Sequence, residues 1–222
     1  MKVTYIHHSG FLVETERYSY LFDYESGALP EINPAKPIYV LSSHSHGDHY
    51  NPEIFPMLES AGITDIRPVL SDDIDAPRGL SVVPRMEYDL DDQLKLTTFR
   101  STDLGVAFLM EDRNQLIYHS GDLNDWVWEE ETEAYNTEMT ANYRREIQAL
   151  AKKLGNRPID VAMVVLDPRQ DQDYHRGMCY FLEQIQAKTI YPMHYWDDPS
   201  VIGRFLTDHP EYTSQIQETE KY

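Results

Sequence analysis

The sequence predicts an α/β protein in which two packed β-sheets are flanked by helices, and three observations carry the prediction. Short strand-like runs crowd the chain up to about residue 120, with a single helical signal among them. From Glu129 onward the apolar spacing changes to a helical period. A continuous apolar stretch, DVAMVVL, then reads as a strand covered on both faces. Many strands first, with helices interspersed and concentrated later, suit layered sheets with helices outside.

In chain order, KVTYI (2–6), FLVET (11–15), YSYLF (18–22) and PIYVL (37–41) have strand length and strand composition, and their quick succession suggests a meander. NPEIFPMLESAG (51–62) reads as a short helix with Asn51 as its cap, Pro52 in the first turn and Gly62 as its stop. Strands follow at IRPVL (66–70), LSVVP (80–84), QLKLTTF (93–99), GVAFLM (105–110) and QLIYHS (115–120), the last two joined by the turn-like EDRN. Tyr143, Ile147, Leu150 and Leu154 share one face of the longest helix, which Gly155 ends. After DVAMVVL (160–166) come a helix over 175–186, the strand TIYPM (189–193) and a final helix near PSVIGRFL (199–206). No repeat, low-complexity tract or flexible linker interrupts the 222 residues, so a single domain over 1–222 is expected.

Composition narrows the function. The 41% of hydrophobic residues suffices for a sizeable core, and no run approaches the roughly 18 apolar residues of a membrane helix. The N-terminal MKVTYIHHSG has no signal-peptide core, and the lone cysteine, Cys179, cannot close an internal disulfide. A cytoplasmic location is expected. Cys179 falls on the apolar face of a predicted helix, as a structural thiol would. A net charge of -19 repels a phosphate backbone, which argues against long nucleic acids and leaves a small-molecule substrate as the expected partner.

The chemistry concentrates in SHSHGDH, directly after the apolar PIYVL. His44, His46, Asp48 and His49 form the pattern H-x-H-x-D-H. In a tight loop alternate residues can point the same way, so His44 and His46 can grip one metal ion while Asp48 and His49 turn toward a second. Imidazole and carboxylate together suit zinc or a similar divalent ion. Gly47 gives the loop backbone freedom.

With this motif the chain resembles the metallo-β-lactamase-fold hydrolases, and further stretches extend the resemblance over nearly its whole length. The resemblance implies an αββα sandwich of two mixed β-sheets. It further implies that Asp23, in LFDY, braces the metal loop, that Asp122, in YHSGD, bridges two metals, and that His194, in YPMH, is the last ligand. More narrowly, IHHSGFLVE and HSGDLNDWVW resemble the branch of ascorbate-phosphate lactonases and related small-substrate hydrolases. Two divalent cations, zinc first with manganese or iron as alternatives, would lower the pKa of a shared water from about 15.7 toward about 7 and polarise a carbonyl or phosphoryl oxygen. Asp48 could orient the hydroxide while ligating the second cation.

One departure matters. Most members of the family carry another histidine before the bridging aspartate, where this chain reads TFRSTDLGVAF, with Ser101, Thr102 and Asp103 in its place. Asp103 could serve as an oxygen ligand and would favour manganese or iron somewhat more than usual; the alternative is a first site that binds weakly or stays empty. His7 and His8 are strand neighbours that point to opposite faces, and by resemblance His8 is the one that looks into the site, as a substrate contact. His119 reads as a core or supporting group, His209 as exposed. His175, at a helix start, is a candidate proton donor or substrate contact. Arg169 ends the buried strand and could bind an anionic substrate group through its planar fork or pair with Asp167. Trp126, Trp128, Tyr195 and Trp196 either rim the pocket or pack in the core.

The function expected is a metal-dependent hydrolase acting on a small, anionic ester, lactone or phosphoester. The alternatives are a nuclease of the same fold, disfavoured by the acidic balance, and a catalytically degenerate metal-binding sensor or scaffold, which the missing histidine supports. A diiron redox role is disfavoured because such sites usually replace a loop histidine with an acid.

Overall fold

β1 (Lys2–His7), β2 (Gly10–Glu14) and β3 (Ser19–Phe22) pair antiparallel, because the short turns between them can only reverse the chain. The fourth strand departs from the expected meander: β4 (Ile38–Ser42) lies parallel to β3. The physical reason is the long segment 23–37, which lets the chain cross back before it enters the sheet. β5 (Ile66–Ser71) and β6 (Leu80–Val82) extend the parallel run, so the order is β1-β2-β3-β4-β5-β6. The structure, a computed structural model, describes residues 1–219, and these strands belong to the first of its two compact units, residues 1–83 and 84–219.

Between β4 and β5, α1 (Ile54–Ser60) buries Ile54, Phe55 and Leu58 in one cluster with Leu12, Leu21, Ile38 and Val40. Each such side chain withdrawn from water contributes about 1.5–3 kcal/mol. Asn51 does not cap this helix. Its Oδ1 accepts from the Glu53 N–H at 3.0 Å and its Nδ2 donates to the Glu25 carbonyl at 2.7 Å, so it closes the turn that leads in. Gly62 stops the helix as read, at φ 83°, with the Ile63 N–H returning to the Leu58 carbonyl at 3.0 Å.

In the second unit β7 (Glu87–Asp91), β8 (Leu94–Arg100), β9 (Val106–Asp112) and β10 (Gln115–His119) run antiparallel. β11 (Ile159–Val165) and β12 (Ala187–Met193) add in parallel beside β10, giving the order β12-β11-β10-β9-β8-β7. Both sheets are mixed, the first with α1 and the second with the helices after β10, which is the class of fold expected. α2 (Glu133–Leu154) starts at Thr132, whose hydroxyl accepts from the Tyr135 N–H at 3.2 Å. Its buried face holds the predicted Tyr143, Ile147, Leu150 and Leu154 together with Glu146. That carboxylate is satisfied by Arg85 and by the Arg100 N–H at 3.1 Å, which ties α2 to β8.

α3 (Arg176–Gln184) packs so closely on the loop after β10 that a Cβ on Gly177 would lie 1.8 Å from the Asn124 Oδ1. The Tyr143 hydroxyl donates to the Gly177 carbonyl at 2.7 Å and fixes α3 against α2. Cys179 on α3 is half-buried, and burial, with Glu183 and Glu211 nearby, pushes its thiol up to about 11. Such a thiol is inert at neutral pH. α4 (Ser200–Asp208) follows β12. The chain then returns along the outer edge of β12: the Ile190 N–H donates to the Gln215 carbonyl and the Gln217 N–H to the Ile190 carbonyl, both at 2.8 Å. Among the described residues no helix is long and apolar enough to cross a membrane.

Candidate functional site

Each unit gathers polar side chains where three parallel strands end. In the first unit Asp23 follows β3, the loop 43–49 follows β4, and Asp73 follows β5. Asp23, fully buried at φ 39°, accepts from the Ser43 N–H at 2.7 Å, the Ser43 hydroxyl at 2.6 Å and the His49 Nδ1–H at 2.7 Å. The Ser43 proton is thereby committed to Asp23, so its oxygen takes the His44 Nδ1–H at 3.0 Å. Both buried imidazoles are therefore protonated on Nδ1, and Nε2 is the lone-pair nitrogen that each ring presents away from Asp23.

The rest of the loop is held from the other side. The Ser45 N–H donates to Asp73 at 2.8 Å. Burial opposes ionisation of Asp73, but hydrogen bonds from Ser71 and Ser45 prevail and hold its carboxyl below the ordinary value. His44 stands 4.6 Å from the His46 ring and 4.2 Å from the His49 ring, centroid to centroid. His46 is exposed and Asp48 half-exposed. His7 turns outward to Glu25. His8, buried at φ 50°, sends Nε2 to within 3.5 Å of Asp48, and Asp48 lies 3.9 Å from the His49 Nε2. His8, Asp48 and His49 each offer a donor atom within 4.8 Å of the others, so His8 keeps the company of the expected metal ligands.

In the second unit the parallel neighbours β10, β11 and β12 end at Asp122, Asp167 and His194. His194, buried at φ 63°, sets Nδ1 3.0 Å from Asp167 and Nε2 3.3 Å from Asp122. Asp167 is fully buried; burial opposes its charge, but hydrogen bonds from His194 and Arg169 prevail and hold its carboxyl below the ordinary value. The Asp122 carbonyl accepts from the Trp126 indole at 2.8 Å. Thr102 donates to the Asn124 carbonyl at 2.6 Å, which brings loop 101–104 alongside, and Asp103 and Asp122 each offer an oxygen within 4.8 Å of the other.

The remaining expected site residues lie as follows. Arg169 engages Asp167 through Nε at 2.9 Å and an Nη at 2.5 Å, with its guanidinium carbon 4.6 Å above the Trp196 ring. His175 stands beside Tyr174 and His209, ring centroids 5.2 and 5.3 Å away, and burial, then His209, hold it below its ordinary pKa. His119 is buried and accepts the Gly121 N–H at 3.1 Å, a supporting role for the Asp122 turn. The aromatics divide: Trp126 and Tyr195 are buried, Trp196 is 40% exposed, and Trp126 and Trp196 stand edge-on to His194 at 5.4 and 5.8 Å. The sequence reading missed Asp167 as the partner of His194. The signal was LDPRQ ending one buried strand and YPMH another, which become adjacent once β11 and β12 pair in parallel.

No family model matches the chain. Over 52 residues, 22% of this chain, it is 44% identical to a UPF0173 metal-dependent hydrolase of Desulforamulus reducens, and the match spans only 23% of that protein's length. Among solved structures, Igni18, a metallo hydrolase from the hyperthermophilic archaeon Ignicoccus hospitalis, is similar with a TM-score of 0.69 over 99% of this chain and 94% of its own, at 14% identity. The metallo-β-lactamase fold protein YhfI of Bacillus subtilis gives a TM-score of 0.63 over 97% and 89%, also at 14% identity. Likeness of this kind shows the fold, and the chain has the metallo-β-lactamase fold. The relative and the archaeal protein both carry the description of metal-dependent or metallo hydrolases; fold alone does not fix a reaction.

Proposed function

We propose that this protein is a metal-dependent hydrolase of a small, anionic ester, lactone or phosphoester. One observation carries the reading. Each unit holds a buried imidazole by its Nδ1 on a fully buried carboxylate, His49 on Asp23 and His194 on Asp167. Metal-ligating histidines are held in this way, with tautomer and orientation fixed from behind. The donor set of imidazole nitrogens and carboxylate oxygens fits zinc, and equally manganese or iron.

In this reading His44, His46 and Asp122, with Asp103 as a fourth donor, would hold one cation, and Asp48, His49 and His194, together with Asp122, would hold a second. A divalent cation held there would lower the pKa of a bound water and polarise the substrate oxygen. The chain does the rest. Asp48 accepts a hydrogen bond from the attacking water and orients it, His8 beside it meets the substrate, and Trp126 and Trp196 exclude bulk water from His194. A small-molecule substrate agrees with the net charge of -19, which opposes a polynucleotide. The lone cysteine agrees with a cytoplasmic setting.

Protein purified without chelator is expected to carry divalent metal and to hydrolyse members of a panel of lactones, esters and phosphodiesters, and to lose that activity on chelation. His46→Ala should lose metal, whereas His175→Ala, beside His209, should keep it. Undiminished turnover by metal-stripped protein would sink the proposal, and bound metal without turnover of any panel member would favour a sensor. Asp103→Ala tests the fourth donor: anomalous diffraction should show the first cation at reduced occupancy and the second unchanged. Equal occupancies before and after would remove Asp103 from the ligand set.

A further inference from the structure

Asp167 can orient His194 only if Asp167 is itself held, and the structure shows what holds it. Its two oxygens face three groups: the His194 Nδ1 at 3.0 Å, the Arg169 backbone N–H at 2.9 Å, and the Arg169 guanidinium through Nε and an Nη. The guanidinium in turn lies 4.6 Å above Trp196, two residues beyond His194. Trp196 stands edge-on to the His194 ring as well. Both His194 and Trp196 adopt left-handed backbone, φ 63° and 55°, which side chains other than glycine avoid unless their surroundings enforce it. The contacts thus close a loop, from His194 to Asp167, to Arg169, to Trp196 and back to His194.

We propose that Arg169 and Trp196 are positioning residues that lock Asp167 in the plane of the His194 imidazole and so fix where its Nε2 points. Of the two roles the sequence offers Arg169, substrate clamp or partner of Asp167, this takes the second, and it rests on the reading of His194 as a metal ligand. The planar fork is essential, because only a guanidinium can give Asp167 two parallel hydrogen bonds and still stack on an indole. Lysine would restore the charge and neither contact. The backbone N–H of residue 169 still reaches Asp167 in any substitution, so the loop itself persists.

The test uses the full-length protein with three variants, Arg169→Gln, Arg169→Lys and Trp196→Ala, and two readouts besides activity. The first is affinity for zinc by competition with a chromophoric chelator. Partners of this kind typically change metal affinity about 10–100-fold, so Arg169→Gln should weaken zinc by about tenfold and Arg169→Lys by nearly as much. The second is the imidazole nitrogen NMR spectrum of metal-free protein, in which the Nδ1–H of His194 should be a single protected resonance. It should broaden in all three variants and not in His175→Ala, while urea midpoints confirm that each variant folds.

If Arg169→Gln raises KM alone and leaves zinc affinity and the His194 resonance as in the parent, Arg169 is a substrate contact and the lock is wrong. Full rescue by lysine would also overturn it, since charge would then suffice. If the parent binds no metal while the variants still broaden His194, the lock stands and the assignment of His194 as a metal ligand falls.

Discussion

Asp23→Ala is expected to destabilise the protein by about 3–5 kcal/mol, because three buried donors lose their acceptor together. Asp23 has no exposed surface and serves the Ser43 N–H, the Ser43 hydroxyl and the His49 Nδ1–H at once. Alanine would leave those donors buried with no acceptor, at about 1–3 kcal/mol for each that finds no water. Its backbone sits at φ 39°, where an aspartate is better tolerated than an alanine. Urea unfolding of metal-stripped parent and variant measures the loss with no contribution from metal binding. The same variant should fail to retain metal, because both His44 and His49 take their orientation from this carboxylate, His44 through Ser43. A change below about 1 kcal/mol, with metal retained, would show that Ser43 and His49 are held by other means.

Asp122→Ala is expected to reduce kcat/KM by about a thousandfold or more with little loss of fold. In the proposed function Asp122 would be a donor to the activating metal, whose polarisation and water activation would be worth several kcal/mol, and each 1.36 kcal/mol is about tenfold in rate. The fold should survive because the backbone anchors at this position remain in the variant: the Asp122 carbonyl takes the Trp126 indole and a weaker contact from Thr102. Circular dichroism and the urea midpoint check the fold, and kcat/KM on whichever panel ester, lactone or phosphodiester the parent turns over checks the chemistry. Activity within tenfold of the parent would remove Asp122 from the reaction.

Much of this arrangement is written in local sequence. Strand-like runs and the helical face of α2 are read from spacing, because side-chain periodicity reflects burial directly. The segment H-x-H-x-D-H is legible because four donors in six positions have few uses. What escaped depends on contacts distant in sequence. β7, EYDLD, alternates exposed acids with half-buried Tyr88 and Leu90, an edge strand too polar to register as one. The parallel entry of β4 follows from the route of segment 23–37, on which composition is silent. The hold of Asp167 on His194 exists only because β11 and β12 lie side by side. His175 stands at the start of α3, as read, and its packing against His209 is a contact that no local pattern announces.

The return of the chain along β12 has a practical side. β12 leads directly into His194 and is the outermost strand of its sheet, so its rim would otherwise be a template for a neighbouring molecule to extend. Gln215 and Gln217 occupy that rim with the protein's own amides, and the Tyr195 hydroxyl, next to His194, meets Thr219. Clipping or a fusion that peels this stretch away would therefore uncover an adhesive border on the very strand that delivers a candidate ligand. Loss of metal and clumping would then arrive together, as two symptoms of one missing selvage.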